Sequence, residues 1–316
     1  MNLSRWLTNG LLSAGLVLAW GHGFARAQNI VPGSGQRIPE VGDDFEDPKW
    51  EFNLNLPKSS KNIDGQTRLP GGRSANDKWY EPELRGEPDV VRRVPTPAGG
   101  LPGSKGAMMF QTLWSGTPGR PSFKPQQDDL VCDVDGKVGD IPISRTPSVV
   151  VRVFVPPFDE WEKRTGNSFG FRMGVTTTKT ASSGGFFSRS YTKLEPYWPG
   201  MFINLNYKGD SGEKENSANL VIRGDELGRD IQGPPITKTG WWTLGVSFGS
   251  NGQANYYAKP GVENLTAKDH IVSYMPYGYH AQMFQTFFFN VVNMDDGKSW
   301  STVWIVDDPM VYTGGR

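Results

Sequence analysis

The sequence has almost no cysteine. Cys132 is the single cysteine in 316 residues, so no disulfide can form within the chain. This excludes a small disulfide-stabilised scaffold, and the fold must depend on its hydrophobic core or on a bound metal. Cys132 lies between Val131 and Asp133, with no basic neighbour in sequence to favour its thiolate. We interpret it as a buried, unreactive thiol.

The sequence also lacks an excess of charge of either sign. Lys plus Arg and Asp plus Glu each number 33, which gives a formal net charge of zero. No basic block interrupts this balance, which argues against a nucleic-acid partner. Beyond residue 27, no run of apolar residues is long enough to span a membrane.

The first 27 residues have the pattern of a signal peptide. Arg5 supplies a positive charge, Leu11 to Trp20 is a short apolar run, and Ala25-Arg26-Ala27 is a small-x-small cleavage sequence. We therefore predict export, cleavage after Ala27, and a secreted or periplasmic protein. Residues 28–42 are polar, with Gly and Pro, and predict a disordered leader.

Helical periodicity is nearly absent, whereas 39 glycines and 24 prolines fit many strands joined by irregular loops. Alternating or continuously apolar segments predict about ten strands. These lie at 45–56, 107–114, 148–155, 169–176, 201–207, 219–223, 241–248, 253–259, 286–292 and 301–306. The pattern predicts an all-β, antiparallel two-sheet sandwich or jelly roll over residues 43–312, followed by a short tail at 313–316.

The stretch from Gly240 to Gly261 is predicted to be a hairpin. Asn251-Gly252 suits a two-residue type I′ turn. That turn would place Val246 opposite Tyr257, and directly opposed residues share a face. Tyr257 would then join the core, while Tyr256 would share the outer face with Trp241.

Three segments carry a resemblance to concanavalin A-like lectin and glucanase domains, including laminin G-like modules. Residues 43–47 (DDFED) resemble the entry strand of these domains, and residues 304–309 (WIVDDP) resemble their closing strand. The predicted hairpin resembles their penultimate hairpin. The resemblance implies a jelly roll that hosts both lectins and enzymes acting on polysaccharides. The Glu-x-Asp-x-x-Glu strand of the glucanases is absent.

A second resemblance is to alginate-lyase-like jelly rolls. Residues 256–261 (YYAKPG) are similar to their Tyr-x-Lys-Ala-Gly strand, displaced by one residue and with Pro in place of Ala. A displacement of one residue reverses the face of a strand. The companion Gln-Ile-His and Arg-x-Glu-x-Arg strands are absent.

Acidic residues gather near both ends of the predicted domain. If the first and last strands are neighbours, hard oxygen ligands would converge there and suit one structural calcium ion. We expect Glu46 together with Asp307 or Asp308 to hold it. The alternative is two separate surface turns.

Several strands carry polar or aromatic residues on the predicted outer face. Sugars bind to aromatic faces flanked by planar hydrogen-bonding groups. The predicted outer faces carry such groups, namely aromatic rings, side-chain amides and guanidinium groups. The predicted ligand-binding residues are Trp241, Tyr256, Arg152, Arg172, Asn204 and Asn206. The alternatives are a solvated sheet face, or a face covered by the long irregular segment 57–105.

Three functions fit the sequence. The first is an exported, noncatalytic carbohydrate-binding protein similar to lectins. The second is a polysaccharide-degrading enzyme, a hydrolase or lyase, on the same fold, and the third is a structural or adhesion domain. His270 and His280 lie in the loop after the hairpin, and neither stands in a sequence spacing typical of catalysis or metal binding, so no catalytic residue is assigned.

Overall fold

The structure is a computed structural model that describes residues 30–182 and 190–314. The predicted signal peptide and its cleavage site lie outside these residues. The strands are β1 Gln36–Arg37, β2 Phe52–Asn53, β3 Arg73–Ser74, β4 Trp79–Tyr80, β5 Val90–Val94, β6 Ala107–Gln111, β7 Gln126–Cys132, β8 Ile141–Pro142, β9 Ser148–Val155, β10 Gly166–Ser182, β11 Ser190–Tyr197, β12 Gly200–Asn206, β13 Ser217–Arg223, β14 Asp230–Ile236, β15 Gly240–Phe248, β16 Ala254–Pro260, β17 His270–Tyr274, β18 Met283–Asn293 and β19 Trp304–Thr313.

Helices are few and short in the described chain. The α-helices are α1 Lys61–Asp64, α2 Val134–Val138 and α3 Lys208–Ser211, and the 3-10 helices are Ile143–Arg145, Phe158–Glu160, Ala267–Asp269 and Pro276–Gly278. None of these helices is both long and apolar enough to cross a membrane.

The strands form two antiparallel sheets. The small sheet has the order β17-β16-β15-β9-β19-β6-β5, with β1 paired to β19. The large sheet has the order β14-β13-β12-β10-β18-β7-β4-β3-β2, with β11 paired to β10 and β8 paired to β18. The predicted all-β, two-sheet sandwich of the jelly-roll type is confirmed.

An aromatic core fills the space between the sheets. Phe110 of the small sheet stacks on Phe169 and Phe289 of the large sheet, with ring centroids 6.1 and 5.7 Å apart. On β15, the alternating residues 242, 244, 246 and 248 are all buried in this core, as period-two patterning predicts. Such large rings contribute most of the apolar area removed from water.

The hairpin between β15 and β16 differs from the predicted one in its loop. The Gly249 amide donates to the Gln253 carbonyl over 2.9 Å, and the Gly252 amide donates to the Gly249 carbonyl over 2.8 Å. The loop therefore has three residues, and Gly252 has φ +85°. A type I turn followed by a left-handed residue is the usual form of a three-residue hairpin loop.

This extra loop residue shifts the register by one. Val246 lies opposite Tyr256 rather than Tyr257, and a shift of one exchanges the two faces of a strand. Tyr256 is consequently in the core at 0% exposure, and Tyr257 packs outside with Val150 and Leu265. The prediction that Tyr256 shares the outer face with Trp241 is wrong.

The N-terminal part of the described chain is ordered against the last strand. Gln36 and Arg37 pair with Thr313 and Tyr312 of β19, and Val41 is fully buried. The prediction of a disordered leader is wrong for residues 30–42, because Gln36–Arg37 pairs with β19 and Val41 is buried.

The first and last predicted strands, 45–56 and 301–306, are not paired with each other. Within that segment only Phe52–Asn53 is a strand, and it pairs with β3 in the large sheet. The chain touches β19 just before this point, where the Asp43 amide donates to the Pro309 carbonyl over 3.2 Å.

Candidate binding and active site

The outer face of the large sheet carries a pocket of about 500 Å³, here called the Arg172 pocket. Its lining comes from strands β4, β7, β10 and β18, from the segments before and after β4, and from the turn between β11 and β12. The lining residues are Asn62, Tyr80, Pro82, Leu84, Arg85, Gln127, Asp129, Val131, Arg172, Trp198, Thr286 and Phe288. Concave pockets with apolar walls and a few polar groups are the usual form of a ligand site.

The register of the sheet sets the pocket floor. Arg172 of β10 pairs with Phe288 of β18, and Phe288 pairs with Val131 of β7. Their neighbours along each strand, such as Phe171 and Phe287, face the core. Alternation therefore turns the guanidinium and the Phe288 ring away from the core and into the pocket.

Two glycines let side chains lie flat on this floor. A Cβ atom at Gly200 would lie 2.7 Å from Arg172 Cγ and 2.5 Å from the Phe171 carbonyl oxygen. A Cβ atom at Gly170 would lie 2.7 Å from the Phe202 ring. Glycine in a strand permits such close approach, so Arg172 and Phe202 cover the sheet instead of standing upright on it.

Arg172 is a cation that forms no salt bridge in the described chain, although the charge of Asp129 acts on it from a longer distance. Its Nε and Nη2 atoms donate to the Trp198 carbonyl over 3.2 and 3.0 Å. The guanidinium also lies over the Phe288 and Phe202 rings, 5.4 and 5.7 Å from their centroids. Desolvation lowers its pKa to about 10, so the charge persists at neutral pH.

Asp129 is the one carboxylate among the described residues that line the Arg172 pocket. Its Oδ1 accepts hydrogen bonds from Asn290 Nδ2 over 2.6 Å and from Gln127 Nε2 over 2.8 Å. The side chain is buried, and this burial raises its pKa despite the nearby charges of Arg85 and Arg172. A carboxyl group whose pKa is raised in a pocket is a candidate acid or base.

Tyr80 supplies a phenol to the same pocket. Burial raises the pKa of Tyr80, so its hydroxyl keeps its proton at neutral pH. The Arg73 guanidinium lies over its ring, 5.4 Å from the centroid. A protonated phenol of this kind can donate to a developing negative charge on an oxygen atom.

The pocket wall from residue 54 to residue 89 is fixed by buried ion pairs. Lys58 is 3% exposed, and its Nζ atom lies 2.9 Å from Asp89 and 2.6 Å from Asp128. Asp128 precedes the pocket residue Asp129, so this lysine attaches the wall to the strand that forms the floor.

The predicted ligand residues do not form one cluster. Arg172, Asn204 and Asn206 lie on the outer face of the large sheet, whereas Arg152 and Trp241 lie on that of the small sheet, on the opposite side of the molecule. Tyr256 is in the core between the sheets. The prediction of a single shared face is wrong, because alternation separates inside from outside without identifying the sheet.

The small-sheet residues are covered by the chain itself. Trp241 is 6% exposed, and its indole donates to the Pro97 carbonyl over 3.3 Å. Arg152 donates to the Val262 carbonyl over 3.3 Å and to Asn264 Oδ1 over 2.9 Å. The covering segment around Pro97 belongs to the irregular stretch 57–105, which was the alternative explanation for an aromatic residue there.

The carboxylates predicted to bind calcium approach one another at the end of the sandwich. Glu46 accepts hydrogen bonds from the Lys105 and Gly106 amides over 2.8 and 3.2 Å. Asp307 accepts one from Ser104 over 2.8 Å, and burial, followed by the charge of Asp308, raises its pKa to about 7. Across residues 30–182 and 190–314, no three His, Cys, Asp or Glu side chains are arranged to hold a metal ion. The calcium site stays a prediction.

His270, His280 and Cys132 are not among the residues that line the Arg172 pocket. His270 Nε2 is 2.7 Å from Ser273 Oγ, and His280 Nδ1 is 2.9 Å from the Asn251 carbonyl oxygen. Cys132 is buried, and burial raises its pKa to about 12, as expected for an unreactive thiol.

Sequence reasoning missed Tyr80, Asp129 and Phe288 as site residues. Asp129 had no clear signal, because its strand consists of four polar residues followed by three apolar ones and shows no period-two alternation. Tyr80 had none either, since it reaches the pocket through an irregular segment whose path depends on tertiary contacts.

No family model matches this chain, and a search of curated proteins gives no match. Among solved structures, the chain is similar to a carbohydrate esterase from Shiga toxin-encoding bacteriophage phi24B, with 10% identity, 76% of this chain and 91% of that chain covered, and a TM-score of 0.42. It is also similar to an alginate lyase from Pseudomonas aeruginosa, with 10% identity, 71% and 86% covered, and a TM-score of 0.38. A PL7 alginate lyase from Zobellia galactanivorans gives 8% identity, 84% and 95% covered, and a TM-score of 0.35. These likenesses concern the fold alone.

Proposed function

We propose that this protein is a polysaccharide-degrading enzyme of the lyase type, that it acts on an anionic chain containing uronic acid units, and that the Arg172 pocket is its active site. The observation that carries the proposal is the environment of the Arg172 guanidinium. Its guanidinium is held between two phenyl rings, has no ion pair in the described chain and lines a pocket. A planar guanidinium matches a carboxylate in geometry and charge, so a sugar carboxylate is the ligand that fits.

The walls of the pocket suit a sugar ring. Trp198 and Tyr80 line it beside Phe288, and Trp198 is 37% exposed. A pyranose ring presents C–H groups on one side, which pack on aromatic faces, while Gln127 and Asn62 offer hydrogen-bonding amides to its hydroxyl groups.

The number of carboxylates favours elimination over hydrolysis. Glycoside hydrolases generally need two carboxyl groups flanking the scissile bond, whereas Asp129 is the one carboxylate among the described lining residues. Elimination next to a uronate needs a base, a proton donor and a cation at the carboxylate. The C5–H electron pair becomes the C4=C5 double bond, and the C4–O4 pair leaves with the oxygen, which takes up a proton.

Three residues fit these roles. Arg172 would neutralise the sugar carboxylate and stabilise the negative charge that develops when the C5 proton departs. Asp129, with its pKa raised by burial, would accept that proton, and Tyr80 would protonate the departing oxygen. No cofactor takes part in this scheme.

Incubation with a panel of acidic and neutral polysaccharides tests the proposal. We expect unsaturated uronate products, detected by their ultraviolet absorbance and by mass spectrometry, from at least one acidic chain and from no neutral one. Arg172→Gln should abolish both cleavage and binding. The matched control is Arg92→Gln, which removes an exposed guanidinium from β5 of the small sheet and should leave both unchanged.

Failure to cleave or bind any acidic polysaccharide would contradict the proposal. Equal binding by wild type and Arg172→Gln would place the site elsewhere. A melting temperature for Arg172→Gln close to that of wild type shows that a loss of binding is not a loss of folding.

Noncatalytic carbohydrate binding is the second candidate. It is favoured by the enclosure of Asp129, which is 7% exposed and holds two side-chain hydrogen bonds. Binding of an acidic chain that depends on Arg172, without any product, would support this function over cleavage.

Three further points remain proposals. We propose export with cleavage after Ala27, which mass spectrometry of secreted protein beginning at Gln28 would support. We propose one calcium ion near Glu46 and Asp307 or Asp308. The protein should then have a higher melting temperature in excess calcium than in a chelator. Membership of the concanavalin A-like superfamily is the third, and it rests on the short motifs at both ends of the domain.

A further inference from the structure

A second, shallower depression lies on the same face of the large sheet, on strands β12, β13 and β14. It has a volume of about 290 Å³ and is here called the amide groove. Its lining residues are Asn204, Asn206, Asn219, Val221, Asp230, Ile231 and Gln232. Four of these seven side chains are carboxamides, which is the feature that distinguishes the groove from the Arg172 pocket.

The asparagines hold one another in place. Asn204 Nδ2 donates to Asn206 Oδ1 over 3.1 Å and to Asn219 Oδ1 over 3.4 Å, and Asn206 Nδ2 donates to Ser217 Oγ over 3.3 Å. Several of these bonds are long, and a carboxamide has two donor hydrogens and an oxygen with two lone pairs. The network therefore orients the amides and leaves them capacity for a ligand. Gln232, which is exposed, adds a further amide at the far side.

The groove has no charge available for a ligand. Asp230 is its one charged lining residue in the described chain, and Arg223 holds both of its oxygens, over 2.8 and 2.7 Å. This bidentate pair neutralises Asp230. An oriented amide offers both donor hydrogens and an acceptor oxygen. A ligand hydroxyl can pair with either, whereas a ligand carboxylate can only accept, so hydroxyl groups fit this groove better.

The two depressions are joined along one row of the sheet. The row runs from Asp129 through Asn290, Gly170, Phe202 and Val221, and ends at Gln232. It crosses strands β7, β18, β10, β12, β13 and β14, which makes five steps between neighbours. At about 4.8 Å per step, the row is about 24 Å long.

Phe202 covers the middle of this row. Arg172 lies over its ring from one side and Arg223 from the other, at 5.7 and 4.7 Å from the centroid. Phe202 is 2% exposed, because the two guanidinium groups lie over its ring, and these groups take part in the surface between the two depressions. A chain of linked sugar rings could lie across that surface.

We propose that the amide groove is a second sugar subsite, which binds an uncharged, hydroxyl-rich part of the same polysaccharide whose carboxylate occupies the Arg172 pocket. The inference rests on the proposed function and extends it to the direction of the chain, across the strands from β7 to β14. A pyranose ring in an extended chain is about as long as one strand spacing. A ligand of about five units or more is therefore required to reach both sites.

Oligosaccharides of graded length that carry one terminal uronate followed by neutral sugar units test this subsite by calorimetry. The protein used is the full chain with Asp129→Asn, so that the ligand stays intact if Asp129 is the base. We expect oligomers of about six units to bind at least tenfold more tightly than dimers or trimers. Asn204→Ala and Gln232→Ala should each weaken binding of the long oligomers roughly threefold to tenfold, the usual effect of one lost hydrogen bond, and leave the short ones unchanged.

Gln253→Ala is the matched control, because it removes a carboxamide from the residue that closes the hairpin loop of the small sheet. It should change the binding of neither short nor long oligomers. Equal binding of short and long oligomers by the Asp129→Asn protein, or an equal loss for both lengths in the groove variants, would overturn the subsite. If the subsite is overturned but short oligomers still bind in a way that depends on Arg172, the proposed function stands. Absence of binding at every length overturns both.

Discussion

Glu81 and Glu87 direct their carboxylates at one backbone amide, that of Gly72, which donates to them over 3.3 and 3.0 Å. Glu81 also accepts the Ser59 amide over 2.6 Å, and Glu87 accepts the Asn55 amide over 2.9 Å. Both side chains are buried. Two carboxylates this close share a proton because their negative charges repel each other. Burial, followed by the charge of Glu81, raises the pKa of Glu87 to about 8.

This carboxylate pair should make stability fall as pH rises. The folded state keeps a proton on Glu87 up to about pH 8, whereas the unfolded chain releases it near the ordinary glutamate pKa of 4.5. The stabilising contribution is therefore complete below the unfolded pKa and is lost as pH rises through the folded one. Urea unfolding at several pH values should show a steeper decline for wild type than for Glu87→Gln, which cannot titrate. Identical pH slopes for the two proteins would rule out a shared proton.

Breaking the buried ion pairs of Lys58 should be costly. Lys58→Met leaves Asp89 and Asp128 without their cation, and removal of one partner from a buried pair costs about 3–5 kcal/mol. Lys61→Met is the matched control, because Lys61 and its partner Glu83 are each 50% exposed and such pairs contribute at most about 1 kcal/mol. Denaturant unfolding measures both. Similar losses for the two variants would show that the wall is not held by Lys58.

The three-residue hairpin loop depends on Gly252. An alanine there would adopt an unfavourable positive φ, and its Cβ atom would lie 2.6 Å from the Ala281 amide nitrogen. Gly212 also has positive φ, at +71°, but nothing lies within 4 Å of a Cβ atom at that position. Gly212→Ala should therefore cost about 1–2 kcal/mol for its backbone conformation alone, and Gly252→Ala should cost more. Equal costs would argue against the observed register.

Asn290 should set the ionisation of Asp129. Its side-chain amide donates to Asp129 Oδ1 over 2.6 Å, which favours the charged carboxylate. In Asn290→Leu the pKa of Asp129 should rise further, and the pH dependence of cleavage should move to higher pH. A carboxyl titration followed by NMR gives the same pKa without relying on activity. Asn204→Ala, in the amide groove, should leave that titration unchanged, and an unaltered pKa in Asn290→Leu would remove this role.

The sequence predicted well whatever depends on alternation alone. Residues 242, 244, 246 and 248 are buried as expected, and the two-sheet, all-β architecture is confirmed. Arg172 was assigned correctly to an outer face, because its neighbours Phe171 and Met173 alternate with it into the core.

The errors come from choices that period-two patterning does not determine. One additional loop residue moved Tyr256 into the core, and no local signal distinguishes the two-residue from the three-residue loop at Asn251-Gly252. Arg152 and Arg172 have the same pattern within their strands, yet they lie in different sheets because strand order depends on long-range pairing. Tyr80 lies in a segment positioned by the buried contacts of Lys58 and Glu81, which are invisible in a linear sequence.

The flat placement of Arg172 over Gly200 has a consequence for how this face can evolve. A Cβ atom at position 200 would lie 2.5 Å from the Phe171 carbonyl oxygen, which is backbone and stays in place whatever residue occupies position 172. Related chains should therefore keep glycine at position 200 even where Arg172 is replaced. Selection for a different ligand would then act on position 172 alone, on a floor that the glycine keeps open.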